Sequence, residues 1–130
     1  MVAVLVTGSR HLTDKHRDAV TLALAYAAAR HDGRWPPTLI HGDAKGADTL
    51  AAEIAAEQGW KVIAMPADWD THHKAAGPIR NQQMVDMHPD LVVAFLMPNS
   101  RGTRDCVERA LKADIPVMDG WKWKPITTIP

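Results

Sequence analysis

The chain has 130 residues, a formal net charge of zero and a single cysteine, Cys106. Its length is that of one domain, 1–130. The charge balance argues against a dedicated duplex-DNA binder, which carries an excess of Lys and Arg, and one cysteine excludes an internal disulfide framework.

Residues 2–6 form an apolar run rich in β-branched side chains that stops at Thr7-Gly8-Ser9, the pattern of a strand buried on both faces. The run is short and lacks the basic leader of a signal peptide. No stretch approaches the ~18 apolar residues of a membrane span. The expectation is a cytoplasmic protein with no membrane partner, consistent with one unpaired cysteine. Thr13-Asp14 offers a helix start, and Ala19, Val20, Leu22, Ala23, Leu24, Tyr26 and Ala27 recur on a helical period over 14–30. Gly33 and Pro36-Pro37 close that helix.

Residues 38–41 predict a second strand ending at Gly42, and 46–58 a helix with Leu50, Ala51, Ile54 and Ala55 inward and Gly59 as its stop. A third strand is expected over 61–65. Residues 66–77 are expected to form a loop, and Pro78 suits the first turn of a helix reaching about residue 87. A fourth strand over 91–96, a helix over 102–113 and a fifth strand over 115–118 follow. Pro116 places that last strand near an edge, because it cannot donate to a ladder. No structure is assigned to the tail from residue 120. Alternating strands and helices predict a Rossmann-like open, mostly parallel α/β sheet with helices on both faces.

Ligands of such sheets bind beyond the carboxyl ends of the strands. Three turns there combine glycine with hydroxyls and cations: Gly8-Ser9-Arg10, then Gly42-Asp43-Ala44-Lys45-Gly46-Ala47-Asp48, then Ser100-Arg101-Gly102-Thr103. Glycine admits close backbone approach, and the helix that follows presents free N–H groups to an anion. None of the turns matches GxGxxG or the P-loop. Together they favour an anion site over plain turn geometry. Arg80 and Asn81, in the polar start of the 78–87 helix, are further candidates; an arginine there can clamp a phosphate or carboxylate with two hydrogen bonds.

The order TGSR, HGDAKGADTLA, PADWDTHHKAAGPIRNQQMV, DLVVAF and RGTRDCVERA resembles the SLOG superfamily, and within it the YspA-like, cpYpsA-related branch. The resemblance spans residues 3 to about 118. It implies a Rossmann-like fold, a nucleotide-like or related phosphate-bearing ligand, and a homo-oligomer. The superfamily's Lonely Guy phosphoribohydrolases, which cleave nucleoside monophosphates, are more distantly similar. By that resemblance Arg80 matches their functional arginine, and Gly102-Thr103 their phosphate-binding pair. Asn99-Ser100 replaces paired glycines, and Cys106 stands at the position of their catalytic glutamate, which a thiol cannot replace. Ligand binding, as sensor or carrier, is therefore expected ahead of hydrolysis. If there is hydrolysis, the candidates are Arg80, Asp43, Asp48 and Asp105. A single-stranded nucleic-acid module is a third reading, since the superfamily includes DNA-processing protein A; the neutral charge and lack of a basic stripe make nucleic acid the less favoured partner.

Other clusters carry less. Asp68, Asp70, His72 and His73 are crowded in one loop without the spacing of a metal site, so no metal or cofactor is expected. Cys106 shares a helix face with Ala110, the place of a buried thiol. Trp121-Lys122-Trp123-Lys124 is too short to argue for nucleic-acid stacking, and docking of the tail is expected instead.

Overall fold

Alternate side chains on each strand feed two separate cores in the computed structural model, which describes residues 2–30 and 35–129. The elements are β1 (Ala3–Gly8), α1 (Arg17–Ala29), β2 (Thr38–His41), α2 (Ala47–Glu57), β3 (Lys61–Ala64), α3 (Trp69–His72), α4 (Ala76–Val85), β4 (Leu91–Phe95), α5 (Arg101–Lys112), β5 (Val117–Asp119) and β6 (Pro125–Ile126). The sheet order is β3-β2-β1-β4-β5-β6, parallel throughout except for β6 against β5. This is the Rossmann-like α/β sheet expected.

Val4 and Val6 of β1, Leu39 of β2, Val93 and Phe95 of β4 and Met118 of β5 point to one face, where α1 and α2 bring Val20, Leu24, Leu50 and Ile54. Leu5, Ile40, Val92, Ala94 and Val117 point to the other, under Met84 and Val85 of α4 and Cys106, Val107 and Ala110 of α5. Each fully buried Val or Leu contributes about 1.5–3 kcal/mol of transfer free energy. Two-sided burial explains why the central strands read as unbroken apolar runs. Strand order reverses between β1 and β4, so the crevice that such folds use lies at the carboxyl ends of those two strands.

Three expectations are corrected. Residues 66–77 are largely helical: α3, a 3-10 turn (His73–Ala75) and the start of α4 lie within them. Asp68 caps α3, accepting the Thr71 N–H at 3.2 Å, and Pro78 sits inside the first turn of α4, where its missing N–H has no intrahelical acceptor to leave empty. The tail is also structured. β6 pairs with β5, and Trp121 donates its indole N–H to the Leu96 carbonyl at 2.9 Å while packing edge-on against Phe95 and His16. Pro116 lies just before β5 and not within it, although β5 is near the edge as expected, next to the edge strand β6. Gly33 lies outside the described residues. No helix among the described residues is long and apolar enough to cross a membrane.

Candidate functional site: the turns at the carboxyl edge of the sheet

The turn after β1 is built on Ser9. Its N–H donates to the Phe95 carbonyl at 3.2 Å, its hydroxyl accepts the His11 N–H at 3.0 Å, and its carbonyl accepts the Ala47 N–H at 3.1 Å. The last bond ties this turn to the start of α2. Gly46, at φ +84°, lies so close to Ser9 and Arg10 that a Cβ would overlap their backbone. A Cβ on Gly8 would come within 2.5 Å of Ala47 and 2.9 Å of Phe95. Both glycines serve packing between turns.

The turn after β2 is closed upon itself. The Asp48 carboxylate, in the first turn of α2, accepts the N–H groups of Gly42 at 3.0 Å and Ala44 at 3.3 Å. Those two amides are thereby taken up within the turn. Burial pushes its pKa up to about 6, against the opposing pull of the two amides and of Arg80. Arg80, from α4, donates to the Gly42 carbonyl and fills the space a side chain at Gly42 would need. His41 is buried; its Nδ1 accepts the Asp43 N–H at 3.0 Å, and burial holds its pKa below the usual histidine value. Asp43 is exposed and adopts φ +58°.

The polar start of α4 links this turn to α5. Arg80 Nε donates to Asn81 Oδ1 at 3.1 Å, and Asn81, itself buried, donates to the Gly102 carbonyl at 3.2 Å and to Asp105 at 3.0 Å. Arg109 pairs with Asp105 at 2.9 Å and donates to Gln82 at 3.0 Å. Partial burial works to raise the Asp105 pKa, but the bonds from Arg109 and Asn81 outweigh it and hold the carboxyl below its ordinary value. Gln82 and Arg109 complete this chain of bonds and were not anticipated; Arg109 lies one helical turn after Asp105, the spacing of an i,i+4 ion pair.

The turn after β4 is open. Asn99 takes φ +64°, a glycine-like conformation that asparagine tolerates best among non-glycine residues. Buried Ser100 precedes α5, and its hydroxyl accepts the Met97 N–H at 3.0 Å. Gly102 differs from the glycines of the other two turns: nothing lies within 4 Å of where its Cβ would be. Arg101 and Gly102 are exposed and Thr103 is buried beside them. Arg10 and Lys45 are exposed on the neighbouring turns.

Cys106 is fully buried under this turn. Burial pushes its thiol up to about 12, despite a hydrogen bond with Thr7. It is a core residue and stays protonated. Among the described residues no group of three or more His, Cys, Asp or Glu is arranged to hold a metal ion.

A family model described as the YspA, cpYpsA-related SLOG family matches residues 2–72. The chain belongs to that family. Another relative of this SLOG chain, the Gene 61 protein of Mycobacterium phage D29, is 38% identical over 124 residues, covering 92% of this chain and 96% of its own. The SLOG fold is shared with two solved structures. TM1055 superposes with a TM-score of 0.66 at 18% identity, over 91% of this chain and 73% of its own. DNA processing protein A from Helicobacter pylori, solved for its single-stranded DNA binding mode, superposes with a TM-score of 0.63 at 17% identity, over 92% of this chain and 69% of its own.

Proposed function

We propose that this SLOG protein binds a nucleotide-derived, phosphate-bearing small molecule at the β4–α5 turn, as a sensor or carrier. The observation that carries the reading is the open space beside Gly102 at the start of α5, next to the β1–β4 crevice. Backbone N–H groups at a helix start suit phosphate. Thr103 is a neighbouring hydroxyl, and exposed Arg10, Lys45 and Arg101 are cations on the same edge of the sheet.

Hydrolysis has less support. Arg80 is spent on the Gly42 carbonyl, Asp48 on two amides and Asp105 on Asn81 and Arg109. Asp43 is the candidate acid whose side chain is exposed.

A thermal-shift panel of nucleoside monophosphates, ADP-ribose and cyclic dinucleotides tests the proposal. A ligand at about 100 times its Kd stabilises by about 2.7 kcal/mol, a rise in Tm of several degrees. No shift with any of them at millimolar concentration counts against it. The named activity of the Helicobacter structure supports one second reading, single-stranded DNA binding. Oligonucleotide affinity that falls steeply with salt, without any small-molecule shift, would favour that reading instead.

A further inference from the structure

Helix α1 is apolar on both sides. Eleven consecutive residues, 19–29, include no charged side chain. Val20, Ala23, Leu24 and Ala27 fill the core beneath the helix. Leu22, Ala25, Tyr26 and Ala29 make a second stripe at i, i+3, i+4 and i+7, and all four are exposed, Leu22 at 53% and Tyr26 at 37%. Trp123, itself 39% exposed, stacks on Tyr26 with ring centroids 5.2 Å apart and widens the apolar surface. The neighbouring helix α2 behaves as a surface helix should, with Thr49, Glu53 and Glu57 outward. A helix that is apolar all round is ordinarily covered on all sides.

Charge identifies the cover. The stripe is neutral along its middle, with exposed Asp18 at its N-terminal end and, at its C-terminal end, exposed Arg30, whose guanidinium lies over the Tyr26 ring 5.9 Å from its centroid. A patch that meets a copy of itself across a two-fold axis must be self-complementary. This one is, if the helices run antiparallel: Asp18 of each copy then faces Arg30 of the other, in the register that sets Leu22 opposite Tyr26. Antiparallel packing also brings opposite helix-dipole ends together. Ala25 and Ala29 leave room for the axes to approach closely.

We infer that the outer face of α1 is the contact surface for a second copy of this chain, packed antiparallel through Leu22, Ala25, Tyr26 and Ala29. Sedimentation equilibrium of the full chain tests this without any ligand. The expected result is a dimer at about 100 µM, a concentration that populates pairs of micromolar Kd. Leu22→Glu weakens association at least about tenfold, the loss expected when a charge is forced into an apolar contact. Its circular dichroism and Tm stay those of the parent, because Leu22 supports little of the monomer's own core. Ala25→Arg repeats the test from the same face if Leu22→Glu does not fold. Asp18→Arg and Arg30→Asp each weaken the dimer, and the two together restore it. A monomer at that concentration, or a dimer indifferent to both Leu22→Glu and Ala25→Arg, overturns the proposal, and a double reversal that fails to restore overturns the antiparallel register.

Discussion

The turns after β2 and β4 look alike on paper and differ in structure. Both follow a parallel strand, both contain glycine and a cation, and both lead into a helix. In the first, Asp48 satisfies the amides, Arg80 takes the carbonyl, and Gly46 is wedged against the backbone of residues 9–10. In the second, the space beside Gly102 is empty of protein. The lesson is that a glycine after a strand has two uses, close contact with its own protein or clearance for something else. What surrounds the missing Cβ tells them apart.

Substitution at Gly46 gives the largest expected effect. Gly46→Ala forces a side chain into the left-handed region and against the backbone of Ser9 and Arg10, which cannot swing away as a side chain can. The expected loss is about 3 kcal/mol or more, read as a lower urea midpoint with unchanged slope. A loss below about 1 kcal/mol would mean that the two turns are not packed together as described.

Asp48 comes next, and its effect depends on pH. Its pKa is raised from 3.8 to about 6, so the folded protein disfavours the charged form. The stability tied to this group is fully present below about pH 4 and is lost as pH rises through about 6. The loss is on the order of 3 kcal/mol. Asp48→Asn removes this decline and keeps an acceptor for the Gly42 amide. The stability difference between Asp48→Asn and the parent should therefore grow in the variant's favour between about pH 4 and 7. Identical pH slopes in denaturant titrations would refute the raised pKa. Asp48→Ala leaves both amides without their acceptor and should be less stable than Asp48→Asn by about 1–3 kcal/mol at every pH.

Asn81 is the joint between the closed turn and the open one. Asn81→Ala removes its donors to Gly102 and Asp105 and its acceptor for Arg80. The expected cost is about 2 kcal/mol by chemical denaturation. Hydrogen exchange should quicken in the first turn of α5 more than in α2. Uniform quickening in both would make Asn81 a general core residue with no special link to that turn.

The sheet was legible in sequence because its central strands are buried on both faces and so appear as continuous apolar runs. The turns after β1 and β2 were legible for the same reason, since those runs end at Gly8 and Gly42. What was hidden depends on partners far along the chain. Arg80 meets Gly42 38 positions away. Trp121 is held by Phe95, Leu96 and His16, and Trp123 by Tyr26, none of which a local reading of the tail contains. Two-residue β6 is too short for any periodicity to declare it. Asn99 stands where the resemblance implied a glycine, and its φ of +64° is one that asparagine tolerates.

The smallest expected change in stability makes the sharpest test of the comparison. Gly102 lies in the first turn of α5, has no positive φ, and would place a Cβ into open space. Alanine is the better helix former by about 1 kcal/mol, so on stability alone Gly102→Ala should be neutral or stabilising by about 0.5–1 kcal/mol. If a phosphate approaches the backbone there, the same methyl stands in its way. The variant should then melt no lower than the parent while losing most of the ligand-induced shift. Gly46→Ala cannot give that result, because it damages the fold before any ligand is added. A Gly102→Ala protein that keeps the full shift would move the binding site away from this turn. One that melts several degrees lower would show that the space beside Gly102 is not open.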